Sequence, residues 1–173
     1  MFQALEPRRL FTVTASFAGG VLTVASDHDS DQVLIGTDNH GQIFVHAAHH
    51  VILAVSAHDV SSIQVNLGMG NDSLETQATI HAPMTIRGGA GNDTLRGGSG
   101  HDATFGDDGD DLIYADDGVA DSIDGGAGSD SAFVDHIDTV HNVEHIHHHH
   151  HGDHHDGLVF ADYPLALTPG SDS

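Results

Sequence analysis

Cysteine is absent from the 173-residue chain. That removes disulfide frameworks, thiol nucleophiles and thiolate metal sites, and it suits an extracellular protein. Tryptophan is absent too, and aromatic residues make up only 5%, so a thin, layered core of small aliphatic residues is expected. Val, Ile, Leu and Phe together number 43, above the level of a disordered chain. No apolar run is long enough for a transmembrane helix, which needs about 18 residues or more. The N-terminus lacks the apolar stretch of a secretory signal, so export is expected to use another route. Basic residues number only four, against 26 acidic ones, for a net charge of −22. Nucleic acid and anionic membranes are therefore disfavoured as partners, since both need basic patches. Self-repulsion at this density opposes a compact state, and bound divalent cations are its natural remedy.

The acids are 23 Asp and three Glu. A solvated charged face would use both, whereas Asp suits tight turns because its short side chain reaches its own backbone. Residues 1–9 form a tail, in which Leu5-Glu-Pro-Arg-Arg-Leu10 resembles a motif that opens some bacterial surface and secreted proteins. Short Val-, Ile-, Phe- and Thr-rich segments follow at Leu10–Phe17, Val21–Ala25, Gln32–Gly36, Gln42–His46, Val51–Val55 and Ser62–Leu67. Turn clusters separate them, and their even spacing predicts an all-β sheet or solenoid over 10–75. The cluster Asp27-x-Asp29-x-Asp31 begins like an EF-hand loop, but Gln32 stands at its sixth position and Asp38 at its twelfth. It reads as a hairpin turn with casual cation affinity.

Residues 88–133 carry a nine-residue period, within a repeat segment expected over 76–135. Gly88-Gly-Ala-Gly-Asn-Asp-Thr-Leu-Arg96 is followed by Gly97-Gly-Ser-Gly-His-Asp-Ala-Thr-Phe105 and Gly106-Asp-Asp-Gly-Asp-Asp-Leu-Ile-Tyr114. A ten-residue variant spans Ala115–Asp124, and Gly125-Gly-Ala-Gly-Ser-Asp-Ser-Ala-Phe133 closes the series. Leu67-Gly-Met-Gly-Asn-Asp-Ser-Leu-Glu75 is an earlier copy, with Thr79–Ile86 expected to supply the intervening strands. Calcium takes six to eight oxygen ligands, from carboxylates and backbone carbonyls alike. Glycines let a loop curl its carbonyls inward, the Asp adds charge, and the apolar residue two places later starts a core-facing strand. Two nonapeptides make one coil, so every second loop shares a side. Asp93, Asp111 and Asp130 then stack in one column, with Asp72 extending it. Asp102 stacks on Asp121 or Asp117 in the other.

These residues resemble the RTX, or haemolysin-type, calcium-binding repeat family. The resemblance implies an all-β fold, a parallel β-roll or β-solenoid of short strands, preceded here by a strand-rich N-terminal segment. It implies calcium ligation by the side chains of Asp72, Asp93, Asp102, Asp111, Asp121 and Asp130. The carbonyls of Gly88, Ala90, Gly97, Ser99 and Asp108 would join them. The pattern is broken by Asp107 at a glycine position and by Ala120 where Asp is expected, with Asp121 one place late. The second column is therefore expected to be the weaker.

Residues 136–173 are a His-rich segment and C-terminal tail. Neutral imidazole ligates zinc, nickel and copper, and His145, His147, His148, His149, His150 and His151 are candidates for Zn2+ or Ni2+. Protonating all 18 His would move the formal charge from −22 to −4. His141-Asn-Val-Glu-His145 matches a zinc-protease pattern that requires a helix, and it sits in a strand-rich context. No nucleophile elbow, P-loop or dinucleotide motif is present. The expectation is a non-enzymatic, extracellular structural or surface protein whose folding depends on several calcium ions. The rivals are the calcium-folded module of a secreted hydrolase or toxin, and a transition-metal binder acting through the His tract.

Overall fold

The computed structural model describes residues 13–48 and 50–148. Its strands are β1 (Thr14–Ala18), β2 (Val21–Ala25), β3 (Gln32–Thr37), β4 (Gln42–Ala47), β5 (His50–Ser56), β6 (Ser62–Met69), β7 (Ser73–Thr76) and β8 (Met84–Ala90). They continue as β9 (Thr94–Arg96), β10 (Ala103–Asp108), β11 (Leu112–Ala115), β12 (Ser122–Ala127), β13 (Ser131–Val134), β14 (Thr139–His141) and β15 (His145–His148). The one helical turn among the described residues is a 3-10 segment, Ala57–Asp59. No helix there is long and apolar enough to cross a membrane.

The strands form two sheets, ordered β1-β2-β6-β8-β10-β12-β14 and β15-β13-β11-β9-β7-β3-β4-β5. From β6 onward successive strands alternate between the sheets, and each pairs in parallel with the strand two places along. Parallel pairing needs a crossover, and here the opposite sheet supplies it. The chain therefore advances as stacked coils. β2 and β3 are the first coil, because β2 pairs in parallel with β6 and β3 with β7. The N-terminal segment thus continues the stack. It also finishes that end: β1 pairs antiparallel with β2, and β4 and β5 extend the second sheet antiparallel from β3. Stacked repeats need such an atypical end to cover the last core layer.

Two sequence expectations change. The turn 27–31 is no hairpin, since β2 and β3 lie in different sheets and the segment crosses between them. Thr79–Ile86 is not strand throughout; β8 begins at Met84, and Ile80 is buried in the preceding loop.

Side chains alternate along each strand, so one residue in two enters the slot between the sheets. In β6 this gives Ile63, Val65 and Leu67 inside, with Gln64 and Asn66 outside. The inner residues stack in rows across coils. One row runs Val24, Val65, Ile86, Thr104, Ile123, Val140, and the facing row runs Val33, Leu74, Leu95, Ile113, Ala132, with Ile146 in register on the exposed strand β15. The outer face carries a second row, in which Glu75 pairs with Arg96 at 3.4 Å. The Arg96 guanidinium lies 4.0 Å from the centre of the Tyr114 ring, Tyr114 stacks on Phe133 at 5.1 Å, and Phe133 stacks on His147 at 4.8 Å. Thr76 is an exception inside: its Oγ1 is buried without a hydrogen-bond partner. Thr76→Val keeps the shape and removes the stranded hydroxyl, so it is expected to stabilise by about 1 kcal/mol. Thermal unfolding checks this; a lower melting temperature would mean that the hydroxyl has a use.

Candidate metal centre

The turns joining the sheets line up in two columns. In the first, the Asp that ends each loop reaches back to the loop before it. The backbone N–H of Asp31 donates to Asp72 Oδ1 (2.7 Å), that of Asp72 to Asp93 Oδ1 (2.8 Å), that of Asp93 to Asp111 Oδ1 (2.8 Å) and that of Asp111 to Asp130 Oδ1 (2.8 Å). The Asp130 N–H ends the series on Glu144 Oε2. The residue before each Asp builds a second ladder in the opposite direction. The N–H of Asn71 donates to Ser30 Oγ, that of Asn92 to Asn71 Oδ1, that of Asp110 to Asn92 Oδ1 and that of Ser129 to Asp110 Oδ1. Asp93, Asp111 and Asp130 are thus brought together as one column, which reaches back through Asp72 to Asp31.

Each carboxylate in this column uses only one oxygen in its ladder. Oδ2 of Asp72, Asp93, Asp111 and Asp130 is buried and has no hydrogen-bond partner. Where a repeat begins with glycine, that oxygen lies against the glycine's Cα: Asp93 over Gly88, Asp111 over Gly106, Asp130 over Gly125. The carbonyls of Gly106, Gly125 and Asn142 face the same three points. A Cβ at Gly106 would collide with both oxygens, so the loop's first residue must lack one. Burial, reinforced by neighbouring carboxylates, pushes the pKa of Asp72 and Asp111 up to about 6 and that of Asp93 up to about 7, against the backbone N–H bonds that pull them down. A row of partnerless carboxylate oxygens beside inward carbonyls fits a hard, oxygen-seeking divalent cation such as calcium.

The second column has the same ladder. The N–H of Met84 donates to Asp102 Oδ1, that of Asp102 to Asp121 Oδ1 (2.8 Å) and that of Asp121 to Asp138 Oδ1 (2.9 Å). The ten-residue repeat absorbs its extra residue before Asp121, which takes the place that the pattern assigns to Ala120. Asp117 lies beside this ladder with Oδ2 buried and unpartnered. Its charge helps to raise both Asp102, to about 6, and Asp121, to about 7, although burial is the larger cause in each. Of the two alternatives for stacking on Asp102, the hydrogen bond selects Asp121, and Asp117 acts on both through its charge.

Raised carboxylate pKa values set a pH dependence. In the unfolded chain these Asp titrate near 3.9; in the ion-free fold they titrate at about 6 to 7. The folded state therefore binds more protons across this window, and stability falls as pH rises through it. In chelator the protein is expected to melt lower at pH 7.5 than at pH 5. Added calcium replaces the protons and is expected to remove or reverse the slope. Melting curves at both pH values, with and without calcium, check this.

Among the candidate ligand carbonyls, those of Ala90 and Asp108 each accept one N–H, from Gly70 and Gly91 at 2.8 Å. A carbonyl has a second lone pair, so this does not bar them from an ion. The Asp102 carboxylate lies over Gly97, and the Ser99 N–H donates to the Ile80 carbonyl. Asp31, Asp138 and Glu144 were not among the expected ligands. They share one signal with the others, an acidic residue two places before an apolar residue in the register of the inner rows: Val33, Val140 and Ile146 respectively.

His145, His147 and His148 lie on the exposed strand β15. His147 stacks on Phe133 and His148 on His136. His149, His150 and His151 lie outside the described residues. Among the described residues no group of three or more His, Cys, Asp or Glu converges as a metal site. The columns place one carboxylate per coil at each step, so an ion there must draw on backbone carbonyls as well.

Coils closed by glycine turns, with one stacked Asp each, are the architecture of a calcium-binding repeat. Residues 85–113 and 104–132 match the RTX calcium-binding nonapeptide repeat, in 4 copies. This match takes in the loops of Asp93, Asp102, Asp111, Asp121 and Asp130, and repeats of this type bind calcium. No curated protein and no solved structure matches the chain.

Proposed function

We propose that the chain is a calcium-folded β-roll that acts outside the cell as a structural or surface protein, without catalytic activity of its own. The observation that carries this reading is the row of buried Oδ2 atoms on Asp72, Asp93, Asp111 and Asp130, none with a hydrogen-bond partner. Four buried acceptors in register are costly unless a cation meets them. The side chains of Asp72, Asp93, Asp102, Asp111, Asp121 and Asp130 are the proposed ligands, with loop carbonyls completing each shell. Extracellular modules of this kind are loaded at free calcium of about 0.1–1 mM. At cytoplasmic calcium the same carboxylates would repel one another and hold the coils apart, which suits export before folding. The described residues are taken up by the coil stack and its end strands, which supports a structural role.

Calorimetric titration of the whole chain with calcium tests the binding, and several ions per chain are expected. Absence of binding at millimolar calcium would sink the reading. Proteolytic and lipolytic assays in calcium test the non-enzymatic part, where turnover above the buffer rate would point to the hydrolase alternative.

A further inference from the structure

Outside the matched repeats, loop 26–31 (Ser-Asp-His-Asp-Ser-Asp) contains no glycine and has none of the repeat's signature. It nevertheless takes the first position in both hydrogen-bond ladders of the first column. Its Asp31 N–H donates to Asp72 Oδ1 at 2.7 Å, as each later Asp does to its successor. Its Ser30 hydroxyl accepts the Asn71 N–H at 2.9 Å, which opens the opposing ladder. The carbonyls of Asp27 and Asp29 lie against Gly68 and Gly70, just as those of Gly68 and Gly70 lie against Gly89 and Gly91. The Asp27 carbonyl also accepts the Met69 N–H at 2.9 Å.

We propose that loops 26–31 and 67–72 together hold a further divalent cation, calcium by the oxygen-only character of its donors. The proposal rests on the reading of the columns as calcium sites and extends it to a loop that the repeat pattern does not reach. The independent sign of a ligand is Asp72. This residue is only 3% exposed, its Oδ1 is used by loop 26–31, and its Oδ2 is left without a partner. Asp31 faces it from the neighbouring loop, 5% exposed, with its own Oδ2 held by the Ser26 hydroxyl. Asp27 and Asp31 both add negative charge at the Asp72 carboxylate. Two nearly buried carboxylates in facing loops, with the Asp27 and Asp29 carbonyls alongside, are oxygen donors of the kind that calcium takes, whereas a softer metal would call for imidazole or thiolate.

The absence of glycine in loop 26–31 has a physical reason. Gly68, Gly70, Gly89, Gly91, Gly109, Gly126 and Gly128 each abut a carbonyl of the preceding loop. Among the described residues the first loop has no predecessor, so Asp27 and Asp29, which align with Gly68 and Gly70, can keep their side chains.

The test is calcium stoichiometry by equilibrium dialysis on the whole chain, wild type against Asp27→Asn/Asp31→Asn. Asparagine keeps the acceptor oxygens that serve the His28 and Asp29 N–H groups and the Ser26 hydroxyl, and it removes both charges. One ion fewer per chain is expected, with the remaining ions bound as tightly as before. Unchanged stoichiometry would overturn this proposal and leave the main reading standing. A wild type that takes up no calcium would overturn both. If the double variant does not fold, amide NMR of the wild type decides during the same titration. The amides of Asp31, Met69 and Asp72 should shift with calcium, and if they stay still while those of 88–93 and 106–111 move, the site does not exist.

Discussion

Removing calcium is expected to lower the melting temperature by about 10 °C or more and to weaken the far-UV β signal. Each site filled to one hundred times its dissociation constant adds about 2.7 kcal/mol to the folded state. Two such sites give about 5 kcal/mol, and for a chain of this size each kcal/mol is worth roughly 2–4 °C. The effect should grow as pH rises through 7, where the carboxylates raised to about 6 and 7 lose their protons. Magnesium should replace calcium poorly, because it demands tight octahedral geometry and gives up its water reluctantly. Identical melting curves in calcium and in chelator would refute the proposed function.

Asp111→Ala is the point change expected to cost most in calcium. Asp111 belongs to two stacked pairs: its Oδ1 takes the Asp93 N–H, and its own N–H goes to Asp130. Truncation strands the buried Asp93 N–H and removes a ligand in mid-column, for a loss of roughly 3–5 kcal/mol in calcium. In chelator the change also deletes a buried carboxylate with a raised pKa, so the loss should shrink markedly. Asp38→Ala is the control. Asp38 is exposed and accepts the N–H groups of His40 and Gln42 in the turn between β3 and β4. Its removal should cost little, and the same with or without calcium. The difference between the two conditions is therefore the diagnostic quantity. An Asp111→Ala penalty that ignores calcium would make Asp111 a structural acceptor only.

The repeat from Gly88 to Phe133 was legible because its glycines mark a steric necessity, room for carbonyls and for the loop's own carboxylate. Its register, read at one Asp per loop, places Asp93, Asp111 and Asp130 on one side and Asp102 on the other from the sequence alone. Asp31 was misread because its loop needs no glycine, which left Asp27-x-Asp29-x-Asp31 looking like a reverse turn. A 41-residue interval to Asp72 hid the period as well, since β4 and β5 are inserted into that coil. Met84 shows the limit from the other side. It stands where the second column would place an Asp, and its N–H still bonds to Asp102. No carboxylate marks it in the sequence. Asp107 occupies a glycine position with φ of +73° and pairs with Arg87 at 3.1 Å, a tolerance that residue types alone do not disclose.

The coils of the matched repeats advance 18 or 19 residues between successive ladder partners, and each coil is bonded to the next by parallel strands and Asp links. A pull on the C-terminal end along the stack loads only the outermost coil, because each coil touches only its neighbours. Extension should thus come in steps, each releasing about 60 Å of chain for 18 residues at the span of an extended backbone. Each step would set free the ion clamped beneath that coil. Force and calcium concentration would then trade against one another, one coil at a time.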